Sequence, residues 1–170
     1  TVAAGGRYLA NTSTRRRRGL VLTRKTRRRR PGSSKDALKG AYVVSEAKDP
    51  ENMKGILIGT GSEVSLAIEA QKVLAAQGID VRVVSMPCMD LFEQQSAEYK
   101  ESVLPKDVRA RVAVEALSSF GWGRYVGLEG ATVCMESFGA SAPAAQLFEK
   151  FGFTKQHVVE VAMKVIAANK

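Results

Sequence analysis

The stretch "GILIGTGSEVSLAIEAQKVLAAQGIDVRVVSM", residues 55–86, decides the fold. It opens on a short β-branched run, turns at "GTG", and passes into a helical pattern that places Leu66, Ala70, Val73 and Leu74 on one face, with Gly78 as the stop. A second β-branched run, "DVRVVSM", follows at once. Thr60 and Glu63 stand at capping-box spacing, which predicts where the helix starts. The segment therefore reads as strand, helix, strand, a unit that forms a right-handed parallel crossover.

The same alternation continues on both sides. "AYVVSE" (41–46) precedes the unit, and "RVAVEA" (111–116) and "ATVCME" (131–136) follow it. With "GILIGT" (55–60) and "DVRVVSM" (80–86) they predict five strands in an α/β domain with a mainly parallel sheet. "FEQQSAEYKESVLP" predicts one or two short helices ended by Pro105. "APAAQLFEKFG" (142–152) predicts a helix with Pro143 in its first turn and Gly152 at its stop. The last helix should start at an N-cap Thr154 and bury Val158, Val159, Ala162, Val165 and Ile166 against the sheet.

Residues 1–35 differ in texture. The net charge of the chain is +9, and Arg15 to Arg18 with Arg27 to Arg30 supply eight of those charges, which leaves +1 for everything else. Between the two runs "GLVLT" (19–23) is a plausible buried strand, and "PGSSKD" beyond them is a linker. The composition break places a domain boundary near residues 31–38. What precedes it has the character of the tail of another domain.

Candidate chemistry is sparse. "GTGSE" (59–63) lies where a dinucleotide-binding loop would sit, but Val64 occupies the third-glycine position and Glu63 would repel a phosphate from the helix start, which favours a tight turn with a cap. "SSFGWGRYVG" (118–127) is either a crevice lining at a strand end or a loop at a domain interface, the role suggested by Trp122 and Tyr125. "ESFGASAP" (136–143) is similar, and neither stretch gathers an acid, a base and a nucleophile. Cys88 and Cys134 have no zinc-site spacing and read as buried free thiols, and the lone His157 reads as a helix-surface residue. No apolar run approaches the roughly 20 residues of a membrane helix and no leader pattern is seen, so a soluble intracellular protein is expected.

Taken together, "GLVLTR", "LKGAYVVSEAKD", "TGSEVSLA", "VRVVSMP", "YKESVLP", "FGWGRYVG", "FGASAP" and "FEKFGFT" resemble the C-terminal portion of transketolase, in one order over residues 19–168. Pyruvate dehydrogenase beta subunits and deoxyxylulose phosphate synthase share the domain type, but this combination is closer to transketolase. The resemblance implies that residues 36–170 form a three-layer α/β sandwich on a mainly parallel five-stranded sheet. It also implies that residues 1–35 are the tail of the preceding pyrimidine-binding domain plus a linker. The implied activity is transfer of a two-carbon ketol unit from a ketose phosphate to an aldose phosphate. It would be performed by a homodimer with thiamine diphosphate and a divalent cation, Mg or Ca, in the cytoplasm, or in a plastid if the source is a plant.

In that family the arginine of the Leu-Ser/Thr-Arg-Gln pattern helps bind the substrate phosphate, which implies this role for Arg24 in "LTRK"; Lys25 departs from the pattern. The metal and diphosphate motif and the glutamate that activates the cofactor are absent from this sequence. No catalytic, cofactor-binding or metal-binding residue is therefore assigned, and the chain alone is expected to bind no cofactor and to be inert. The reading from a different class is a standalone basic α/β module that holds nucleic acid or another polyanion through its arginine runs.

Overall fold

Strand β2 (Gly55–Gly59) is buried at every position, because helices cover both sides of it. Alternation along the strand sends Leu57 to one layer and Ile56 and Ile58 to the other. Strands β3 (Val81–Ser85) and β4 (Arg111–Glu115) divide in the same way: Val81, Val83, Val112 and Val114 join Leu57, while Val84 and Ala113 join the two isoleucines. Such two-sided burial explains why these runs are mostly apolar on both faces, with Arg82 the charged exception within β3.

The computed structural model describes residues 36–135 and 144–169. Its sheet has the order β1-β3-β2-β4-β5, with β1 (Tyr42–Ser45) and β5 (Ala131–Cys134) at the edges. The pairs β2/β3, β2/β4 and β4/β5 are parallel, and β1 runs antiparallel to β3 with a bulge between Val43 and Ser45. The five predicted strands and the mainly parallel sheet are thus present, each strand slightly shorter than its sequence signal.

On one face α1 (Glu63–Ala76) and α6 (Lys155–Ala168) pack on the sheet and on each other. The other face is covered by α2 (Met89–Glu93), α3 (Ala97–Val103) and α4 (Gly123–Val126), which contribute Phe92, Val103, Tyr125 and Val126 to a second core. This is the three-layer sandwich expected. The stretch "FEQQSAEYKESVLP" supplies two helical pieces, the end of α2 and all of α3, and α3 ends just before Leu104 and Pro105. Helix α5 (Ala144–Lys150) leads through the positive-φ Gly152 to buried Phe153. Thr154 caps α6 as predicted, its hydroxyl accepting from the His157 amide at 3.2 Å. Val158, Val159, Ala162 and Val165 are buried, and Ile166 is half-buried at the margin.

Two local expectations are corrected. The buried face of α1 is centred on Val64, Ala67, Ala70 and Leu74, with Leu66 and Val73 only partly covered, because the helix packs on both the sheet and its neighbour α6. The Thr60/Glu63 capping box does not form. The Thr60 hydroxyl goes to Glu115, and Ser62, the N-cap residue, makes no side-chain cap bond because its hydroxyl is donated to the Glu63 carboxylate. No described helix is long and apolar enough to cross a membrane.

Candidate functional site

In open α/β sheets ligands collect outside the carboxyl ends of the strands, where neighbouring connections leave in opposite directions. Here that point lies between β2 and β4, since the chain leaves β2 through α1 toward β3 and β4 sits on the other flank of β2. Among the described residues four polar side chains meet there. Thr60, just past β2, donates its hydroxyl to Glu115 Oε2 at the end of β4, at 2.6 Å. Glu63, in the first turn of α1, is 5% exposed, and Ser62 donates to its Oε1 at 2.6 Å.

The turn that brings them together is tight. Gly61 has φ +48°, and a Cβ on Gly59 would lie 3.0 Å from the Val64 amide nitrogen. Backbone bonds from Glu63 N to Thr60 O (2.9 Å) and from Met86 N to Gly59 O (2.9 Å) close it from both sides. Burial raises the Glu115 carboxyl above its ordinary range; the Thr60 hydroxyl opposes that shift and the nearby Glu63 reinforces it. The switch point is therefore lined by two carboxyl groups.

A diphosphate needs free amides and cations at such a place, so the arrangement does not fit the diphosphate of thiamine diphosphate or of a dinucleotide. "GTGSE" is the tight turn preferred from sequence. Among the described residues no group of three or more His, Cys, Asp or Glu is placed to hold a metal ion.

Sequence reasoning missed Glu115. The available signal was an acid closing the apolar run "RVAVEA", since a charge that ends a buried strand must find a partner or a changed proton affinity.

Trp122 and Tyr125 themselves are turned into the interior of this domain. They are 1% and 4% exposed and pack with Phe92 in the second core, with ring centroids of Trp122 and Phe92 each 6.1 Å from Tyr125. The large apolar side chains exposed to solvent in and just before this loop are Phe120 and Leu117. Cys88, just past β3, and Cys134, at the end of β5, are half-buried rather than buried, and His157 is exposed on α6. Arg24, the predicted strand "GLVLT", both arginine runs, Pro143 and "ESFGASAP" lie outside the described residues.

Fold and switch point define an α/β domain with a mixed, mainly parallel sheet, helices on both faces and a carboxyl-lined strand end. Residues 40–154 match the profile described as the Transketolase-like TK C-terminal domain. A transketolase of Streptococcus pyogenes is 51% identical over 165 residues, covering 95% of this chain and 22% of that protein. Among solved structures, transketolase from Leishmania mexicana superposes with a TM-score of 0.74 at 42% identity, covering 81% of this chain and 20% of its own. Pichia stipitis transketolase in complex with sedoheptulose 7-phosphate gives 0.73 at 43% identity over 80% of this chain and 19% of that one. The chain belongs to the transketolase family, through its C-terminal domain, and spans about a fifth of the length of the relatives it matches. Nothing in these likenesses favours a nucleic-acid-binding module.

Proposed function

We propose that this chain is the C-terminal part of an enzyme that transfers a two-carbon ketol unit from a ketose phosphate to an aldose phosphate. The observation that carries the reading is the match over residues 40–154 to a transketolase domain that makes up only a fifth of its full-length relatives. Sugar phosphates are the proposed substrates, in keeping with the sedoheptulose 7-phosphate complex of the Pichia enzyme. Thiamine diphosphate with Mg or Ca, bound between subunits of a homodimer, would supply the carbanion chemistry from parts of the enzyme outside the described residues. Residues 36–170 form the third domain in this reading, and residues 1–35 belong to the tail of the second domain and its linker. The proposed compartment is the cytoplasm, or a plastid in a plant.

Within this chain the part taken in the reaction is small. Arg24, at the end of the predicted strand "GLVLT", is the residue proposed to grip the substrate phosphate, where a guanidinium offers two parallel donors to a dianion. The domain that follows acts as support. The purified 170-residue chain, given thiamine diphosphate, Mg²⁺, a ketose phosphate and an aldose phosphate, should show no ketol transfer; measurable turnover would overturn the proposal. In the full-length enzyme Arg24→Ala should raise KM for phosphorylated donors well above its effect on kcat, and an unchanged KM would remove Arg24 from the site.

A further inference from the structure

Phe120 is 92% exposed and Leu117 63%, both on the loop between β4 and α4. One exposed apolar side chain is ordinary. Here the backbone that carries them is fixed. Met135 N donates to Leu117 O at 2.9 Å, Phe120 N donates to the Ser118 hydroxyl at 3.2 Å, and Trp122 N donates to Ser119 O at 3.1 Å. Gly121 turns the chain at φ +88°, and Trp122 beyond it is anchored in the core. A tethered loop that holds an aromatic ring outward is preorganised for contact, the arrangement that makes an aromatic side chain an effective anchor in an interface.

Its place in the fold indicates what it meets. The described chain begins with the turn Asp36–Lys39, and the following Gly40 carbonyl accepts from the Cys88 amide, the N-cap of α2, at 3.0 Å. The next residue of α2, Met89, carries the sulfur that lies 3.7 Å from where a Gly121 Cβ would be. The point at which all preceding polypeptide joins the domain and the Phe120 loop thus flank the same end of α2. Leu38, in the leading turn, is itself 36% exposed. Leu128 is exposed too, but it precedes the amino end of β5, away from the carboxyl end of β4, and does not extend this patch.

We propose that Leu117 and Phe120 are the seat by which this domain packs, through an apolar contact, on the body of the preceding domain of its own polypeptide in the full-length enzyme. The proposal rests on the reading of the chain as the C-terminal part of a transketolase, whose relatives are several times its length. The occupant is a surface of the same polypeptide, not a second copy.

The test is thiol labelling at position 120. Phe120→Cys is introduced in the 170-residue chain and in the full-length enzyme, and maleimide incorporation is located by peptide mapping to separate it from Cys88 and Cys134. Labelling should be slower by about tenfold or more in the full-length enzyme, at every protein concentration. Equal rates in the two proteins, or a slowing that grows with concentration as a second copy would cause, overturns the proposal. Amide exchange of residues 117–121 in the unsubstituted proteins gives the same comparison without a mutation, with greater protection in the full-length enzyme expected and equal protection against it. Ketol transfer by the unsubstituted full-length protein is assayed separately. An active enzyme with a freely labelled position 120 sinks the docking proposal alone, and an inactive protein with a shielded position 120 sinks the functional reading alone.

Discussion

Arg82 of β3 lies against Glu46 beyond the end of β1, its Nε 2.7 Å from Oε1 and its Nη2 3.0 Å from Oε2. The arginine side chain is 7% exposed, whereas the glutamate keeps 44%. Nη1 completes the site by donating to the carbonyls of Ser102 (2.8 Å) and Val103 (3.2 Å), so one guanidinium ties the edge strand and the end of α3 to the interior of the sheet. Arg82→Leu leaves two carbonyls and a carboxylate without their donor. It should lower stability by about 2–3 kcal/mol, below the range for a fully buried pair because Glu46 is partly solvated. Glu46→Gln should cost about 1 kcal/mol. Urea unfolding checks both, and a loss at Arg82 no larger than at Glu46 would show that the carbonyl bonds contribute nothing.

Arg111 performs a related task by donating to backbone carbonyls. Its Nε reaches Val108 O (2.8 Å), Nη1 reaches Tyr125 O (2.9 Å), and Nη2 reaches Pro105 O (2.7 Å) and Leu104 O (3.3 Å). A lysine has the charge but not the planar fork, so Arg111→Lys should cost about 2 kcal/mol. Arg109→Lys, at a solvent-exposed ion pair with Glu129, should change stability by less than about 0.5 kcal/mol. Thermal melts of the two variants separate the geometry of the guanidinium from its charge.

Two glycines of similar backbone angle should differ sharply on substitution. Gly78 has φ +75° with open space where a Cβ would go, so Gly78→Ala meets only the left-handed backbone cost of about 1–2 kcal/mol. Gly40 has φ +89°, and its Cβ would collide with the backbone of Cys88 and Phe92. Gly40→Ala must therefore move the leading turn away from α2, and its loss of stability should exceed that of Gly78→Ala by at least about 2 kcal/mol. Equal losses would mean that the leading turn yields freely.

Much of this fold is written locally. The strands of "GILIG", "VRVVS" and "RVAVE" are β-branched runs buried on both sides, and the stop at Gly78 and cap at Thr154 are settled by near neighbours in sequence. The misses share a different cause. Thr60 pairs with Glu115, which lies 55 positions away, and no local pattern announces that the hydroxyl will choose it over the helix start. Trp122 and Phe120 lie two residues apart in one glycine-rich loop, and only the turn at Gly121 decides which goes inside. Charge was legible in sum and coarse in place. Residues 1–35 hold twelve Lys and Arg and no acid, whereas residues 36–170 hold fourteen against seventeen acids, so +9 divides into +12 and −3. The domain itself is mildly acidic, and oligonucleotide retained by residues 36–170 would contradict that partition.

The Glu115 carboxyl gives the domain a pH dependence whose sign can be worked out. Burial is the largest influence, Glu63 adds to it and the Thr60 bond opposes it, and the folded-state proton affinity lies above the ordinary glutamate value of 4.5. A group of this kind stabilises the fold fully below its unfolded value. That contribution is lost as pH rises from 4.5 through the higher folded value. Glu115→Gln removes the charge and keeps an oxygen that can accept from Thr60. The variant should therefore match or exceed the natural protein in urea midpoint at pH 7, and its advantage should shrink as pH falls toward 4.5. A variant that is weaker at pH 7 and recovers in acid would reverse the sign, and would mean that the Thr60 hydrogen bond outweighs burial and the charge of Glu63.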